Sequence, residues 1–163
     1  MKPTYYDINL KTATEEEIQE MGRWIASDIV LIVRNQDLTN QEMVRVARAI
    51  GKTVKPGQFM NDDEYPDLCR VTNERDSSGE KIGIFADGDL GWHSNGNARD
   101  AGLESCVALY CIKPGIDSVT SFCDMRQSYR DLPESDKELL QKIDGDFQFK
   151  NNTFYHLGED DKE

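Results

Sequence analysis

A chain of 163 residues with 31 acidic and 19 basic side chains, net charge −12, is long enough for one domain with a real core and short for two. Its 37% hydrophobic and 9% aromatic content is that of a folded globular protein rather than a disordered one. Without any cluster of Lys and Arg, so acidic a chain is a poor partner for nucleic acid or an anionic membrane surface, because both depend on displaced counterions.

The first pattern in chain order is a capping box. Thr14-Glu15-Glu16-Glu17 can close one free backbone N–H with the Thr14 hydroxyl and another with the Glu17 carboxylate. Ile18, Met21 and Ile25 then share one face at helical spacing. The run Ile29-Val30-Leu31-Ile32-Val33 is mostly β-branched and reads as a strand buried on both faces. Thr39-Asn40-Gln41-Glu42 repeats the capping box, and Met43, Val46, Ala47 and Ile50 give a second amphipathic face. Gly51 is expected to end that helix as a left-handed residue.

Beyond Pro56-Gly57 the texture changes. Residues 61–67 read as polar loop, Leu68 to Thr72 as a short strand, 73–81 as a loop around Ser77-Ser78-Gly79, and Ile82 to Phe85 as another strand. Ser105 to Ile112 alternates strongly, with Val107, Leu109 and Cys111 on one side. Pro114-Gly115 turns the chain, Val119 to Cys123 reads as a strand, and Met125 to Asp131 as a helix. A last helix starts at Leu132-Pro133-Glu134, with Pro in its first turn, and runs to Ile143. Strands without regular helical crossovers, flanked by helices, point to an α+β fold built on an antiparallel jelly-roll type of sheet in a single domain, 1–163.

No basic start with an apolar run precedes residue 12, and the longest aliphatic stretch is far too short to span a bilayer. The four cysteines, Cys69, Cys106, Cys111 and Cys123, have no Cys-x-x-Cys spacing. They read as thiols in a reducing cytoplasm, and cytoplasmic location is the expectation.

The chemistry is concentrated in Trp92-His93-Ser94-Asn95-Gly96. A His and an oxygen donor two residues apart on a strand end project to the same side, since strand side chains alternate with period two. Non-haem Fe(II) oxygenases hold iron by two His and one carboxylate on one face. Here the His is present and Asn95 stands where a carboxylate would be. Asn-Gly is equally a favoured type I′ hairpin pair, so the motif alone also fits a plain turn.

The order of features resembles the TauD/TfdA family of iron- and 2-oxoglutarate-dependent dioxygenases along nearly the whole chain. Asp37-Leu38-Thr39 runs through Ala47 to Gly51, and Trp92-His93-Ser94-Asn95 matches Trp-His-x-Asp in three of four places. Val119-Thr120-Ser121-Phe122-Cys123-Asp124-Met125 follows, then Ser128-Tyr129-Arg130-Asp131-Leu132-Pro133. The resemblance implies a double-stranded β-helix (jelly-roll), incomplete in this chain, with Fe(II) as metal and 2-oxoglutarate as co-substrate. It makes His93 the first iron ligand, places Asn95 at the carboxylate position, and gives Thr120 a contact to 2-oxoglutarate. No catalytic residue beyond these is assigned.

Two departures stand out. Asn95 leaves the site one negative charge short. The family's second His and its 2-oxoglutarate-binding Arg lie downstream of the helices seen here, and the other histidine, His156, has no Arg after it to grip a dicarboxylate. Completed by those groups, the protein would oxidise a small molecule while 2-oxoglutarate becomes succinate and CO₂. Asp87 and Asp89, just before the motif, favour a neutral or cationic substrate. The alternative is a non-catalytic remnant or binding module with a degenerate iron site. Homo-oligomer formation is compatible with either reading.

Overall fold

The computed structural model describes residues 3–53, 62–84, 91–94, 106–115 and 119–145. Six elements run in the order β1 (Thr4–Tyr5), α1 (Glu15–Asp28), β2 (Leu31–Ile32), α2 (Asn40–Ile50), α3 (Met125–Arg130) and α4 (Glu134–Leu140).

Both capping boxes form as the sequence dictates. Thr14 Oγ1 accepts from the Glu17 N–H at 3.2 Å, and the Thr14 N–H donates to Glu17 Oε2 at 2.8 Å. At α2 the Glu42 N–H donates to Thr39 Oγ1 at 3.3 Å, and the Thr39 N–H donates to Glu42 Oε2 at 2.8 Å. That backbone N–H is the main reason the Glu42 carboxyl lies below its ordinary range; partial burial opposes it, and the Thr39 hydroxyl, Lys11 and Arg45 assist. A carboxylate whose folded value is depressed stabilises the fold above its ordinary range, and the contribution is lost as pH falls through the lowered value. Thr39→Ala is therefore expected to cost about 1 kcal/mol at neutral pH. Glu42→Gln should flatten the acid limb of the melting temperature, with circular dichroism across pH as the measurement.

The core lies between α1 and α2. Ile18 is fully buried, and Met21, Val46, Leu10 and Ala13 surround it. Gly22 lets the helices approach: a Cβ there would sit 3.2 Å from Ile50 Cγ2. Arg45 ties α2 to the loop before α1, its guanidinium donating to the carbonyls of Leu10, Lys11 and Ala13. Beneath this pair β1 and β2 form a two-stranded parallel sheet in register Thr4–Leu31 and Tyr5–Ile32.

Several expectations are corrected. The strand expected over 29–33 reduces to Leu31–Ile32. Ile29 instead closes α1 at φ 61°, a costly left-handed position for a β-branched residue, which redirects the chain into β2. Only Val30 in that run is buried, at 8% exposure. Gly51 is not left-handed: its φ of 179° is extended, and its N–H closes the helix on the Ala47 carbonyl at 3.1 Å. Residues 68–72 and 82–84 form no strands; a parallel bridge joins Val71 to Ile84. The loop between them is a tight turn: Gly79 takes φ 86°, and Asp76 accepts from Ser78 and Glu80.

Residues 106–112 and 119–123 carry the expected alternation yet adopt no strand. A ladder needs a neighbour, and among the described residues these runs have none. Leu109 stays 72% exposed and Val119 87%. The sheet among the described residues is parallel and minimal; helices with a small sheet, an α+β arrangement, are what those residues contain, which is compatible with the incomplete jelly roll expected.

The final helices form. Asp124 caps α3, accepting from the Arg126 and Gln127 N–H groups at 3.0 and 3.2 Å. Pro133 is the residue before α4 rather than inside its first turn, and the helix ends at Leu140 rather than Ile143. No helix among the described residues is long and apolar enough to cross a membrane.

Candidate functional site

His93 sits in the segment Gly91–Ser94, which is exposed and belongs to no helix or strand. Its Nδ1 lies 2.9 Å from the Gly91 carbonyl oxygen. A carbonyl can only accept, so Nδ1 is the donor in this contact, and a ring carrying that one proton would leave the Nε2 lone pair for a metal. Metal-binding histidines are oriented in this way, one ring nitrogen held by a backbone carbonyl and the other offered to the ion. The sequence singled out His93; the tautomer came only with the coordinates. Asn95, the position two residues on, lies outside the described residues, as do Asp87, Asp89 and His156.

Thr120 is exposed, in a stretch without helix or strand that leads to the Asp124 cap of α3. Partial burial works against ionisation of Asp124, but the Gln127 N–H and the Arg126 charge and N–H outweigh it and hold the carboxyl below its ordinary range. Asp124 of the motif is thus the cap of α3, and Met125 its first residue. Tyr129 links α3 to α4 and the residue after it: its hydroxyl accepts from Gln141 Nε2 at 3.4 Å, and Lys137 Nζ stands 6.0 Å above its ring. Trp92 is 76% exposed.

Tyr110 carries no motif signal, and only the fold brings it into view. Its hydroxyl accepts from the Leu38 N–H at 3.0 Å and donates to the Gln36 carbonyl at 3.1 Å, joining the segment 106–115 to the lead into α2. Arg126 ties α3 to the end of α1, Nη2 donating to the Ser27 carbonyl at 3.1 Å.

Among the described residues, no hydrogen bond or ion pair joins His93 to Thr120, and no group of three His, Cys, Asp or Glu side chains converges as a metal cluster. A cleft of about 710 Å³ opens elsewhere, between α2 and residues 64–67, lined by Val44, Arg48, Tyr65 and Asp67 among others. Arg48 is spent there on Asp67, with Nε at 2.9 Å from Oδ2. None of the four cysteines is in a disulfide; Cys69 is half-buried, which pushes its thiol up, and the other three are exposed.

The chain matches the profile of the Taurine catabolism dioxygenase TauD, TfdA family over residues 2–162, and it belongs to that family. It is 27% identical over 168 residues to the alpha-ketoglutarate-dependent 2,4-dichlorophenoxyacetate dioxygenase of Cupriavidus pinatubonensis (strain JMP 134 / LMG 1197), covering 95% of this chain and 57% of the relative. The enzyme of the same name from Burkholderia sp. (strain RASC) is 27% identical over 139 residues, covering 78% of this chain and 46% of its own. Pentalenolactone F synthase of Streptomyces avermitilis is 24% identical over 132 residues, 79% of this chain and 43% of the relative. The chain spans about half the length of the curated relatives it matches. No solved structure matches it.

The donor set fits ferrous iron in part. His93 offers an oriented imidazole nitrogen. Asn95 offers a neutral amide where the metal's charge calls for a carboxylate.

Proposed function

We propose that this chain is the N-terminal portion of an Fe(II)- and 2-oxoglutarate-dependent dioxygenase acting on a small molecule, on a jelly-roll sheet that its second half completes. His93 supplies the first metal ligand through Nε2, residue 95 occupies the second ligand position, and Thr120 contacts 2-oxoglutarate. The observation that carries the reading is the Nδ1–H to Gly91 carbonyl bond within a Trp-His-x-Asn sequence, in a chain matching the family over residues 2–162. When bound, iron and 2-oxoglutarate supply the oxidising chemistry; the chain's own residues hold and orient them. Asp87 and Asp89 favour a neutral or cationic substrate by repelling anions, unlike the 2,4-dichlorophenoxyacetate of the named relatives. The apolar runs at 106–112 and 119–123 are the strands of the completed sheet, awaiting the neighbours that pair them. The setting is the cytoplasm.

One observation favours a second reading, a binding module that keeps the fold without iron chemistry: the uncharged side chain at position 95. An anaerobic titration of ferrous ion with 2-oxoglutarate separates the two. The dioxygenase reading expects the visible charge-transfer absorption of the ternary complex in Asn95→Asp, weakened by Thr120→Val. No absorption in Asn95→Asp joined to the missing second half would leave the binding module.

A further inference from the structure

Every buried apolar side chain among the described residues lies between Leu10 and Val46, and every side chain packed against their cluster lies between Tyr6 and Ile50. The described segments 106–115 and 119–145 add nothing to this core. α3 and α4 bury no residue, and Val107, Leu109, Ile112, Val119 and Phe122 are all exposed. Apolar burial, the usual force holding one part of a chain on another, is therefore not what keeps these segments in place.

Two polar contacts do so, each between residues far apart in sequence. Tyr110 is the one residue of 106–115 that is not exposed. Its hydroxyl takes the Leu38 N–H at 3.0 Å and gives its own proton to the Gln36 carbonyl at 3.1 Å. The strip it grips is braced: the Gln36 side chain accepts from the Leu10 N–H at 2.8 Å and donates to the Ile8 carbonyl at 2.9 Å. The second contact is made by Arg126, in the first turn of α3. α1 has three acidic residues in its first turn and no basic one in its last, so its C-terminal carbonyls carry an unbalanced negative end. Arg126 Nη2 donates to one of them, that of Ser27, at 3.1 Å and from 99 positions away. A further pair, Lys113 Nζ to Glu74 at 3.6 Å, is exposed at both ends and adds little.

We infer that Tyr110 and Arg126 form a two-point polar clasp, by which the segment 106–115 and α3 dock on the α1–α2 unit and leave it again without unfolding it. The magnitudes separate the two events. One neutral hydrogen bond shifts an equilibrium by roughly tenfold, whereas the α1–α2 unit rests on the joint burial of seven apolar side chains. The clasp therefore opens as a local, low-cost motion beneath the global unfolding of the core. It depends on no metal or co-substrate ligand, and stands or falls apart from the dioxygenase reading.

Electron–electron double resonance on the full chain measures the docking, with spin labels on the exposed Cys111 and on Glu16→Cys in α1, the other three cysteines replaced by serine. A second pair, with Cys123 labelled in place of Cys111, reads the Arg126 point. The expected result is one narrow distance for each pair, broadened in the first by Tyr110→Phe and in the second by Arg126→Gln. Tyr110→Phe removes a single hydroxyl, so the helical circular dichroism should melt at the parent's temperature. In that variant the Leu38 amide should exchange with solvent roughly tenfold faster, the worth of one neutral hydrogen bond, while the amides of Ile18 and Val46 keep their rates. The proposal is overturned if either distance is already broad in the parent, or stays narrow in the variant that breaks its contact. It is also overturned if the parent's Leu38 amide exchanges as slowly as those of Ile18 and Val46, or if Tyr110→Phe lowers the helical melt, because docking and folding would then be one event.

Discussion

Ile18→Ala is expected to lower the stability of the α1–α2 unit by about 3 kcal/mol, read from the shift of a urea unfolding curve followed by helical circular dichroism. Ile18 is the one fully buried large side chain among the described residues, and it sits where α1, α2 and the 10–13 loop meet. Truncation removes three heavy atoms from contact with Met21, Val46 and Leu10 and leaves a void, so both the transfer and the cavity cost apply. The unit has few other anchors: seven hydrophobic residues make up the described core. A loss of less than about 1 kcal/mol would mean that the helices are not held by this contact.

His93→Ala placed in the Asn95→Asp background is expected to lower ferrous affinity by at least about a hundredfold, since it removes a direct ligand where an outer partner alone is worth up to that much. The imidazole is exposed and its one described contact is the local bond to Gly91. The substitution should therefore leave thermal stability within about 0.5 kcal/mol of its parent. The pairing of a large binding loss with an unchanged melt distinguishes a ligand from a packing residue.

What the sequence made legible divides along the range of the interaction. Thr14 and Thr39 announce their helices because a capping box is complete within four residues, and both formed atom for atom. Val44 was passed over because it lies beside the stripe of Met43, Val46, Ala47 and Ile50; it is buried and lines the cleft that Tyr65 and Asp67 also line, a tertiary setting that helical periodicity cannot reveal. The strand β1 is two residues long and offers no periodicity to read. The run from 105 to 112 shows the opposite failure: its alternation is clear, yet a strand is a property of two segments, and the second is not among the described residues. At the site, His93 was legible from its neighbours Trp92 and Asn95, whereas the proton on Nδ1 depends on a carbonyl two residues back and on backbone geometry that no motif encodes.

The claim on which the function rests is that His93 presents Nε2 to a metal while Nδ1 stays bonded to Gly91, and nitrogen-15 NMR of the imidazole reads both nitrogens at once. The chain has two histidines, so His156→Gln leaves a single ring to observe. In Asn95→Asp with zinc as a diamagnetic stand-in for ferrous ion, the account predicts a protonated Nδ1 before and after the metal and a shift confined to Nε2. A ring protonated on Nε2, or one whose resonances ignore zinc at saturating concentration, would contradict it.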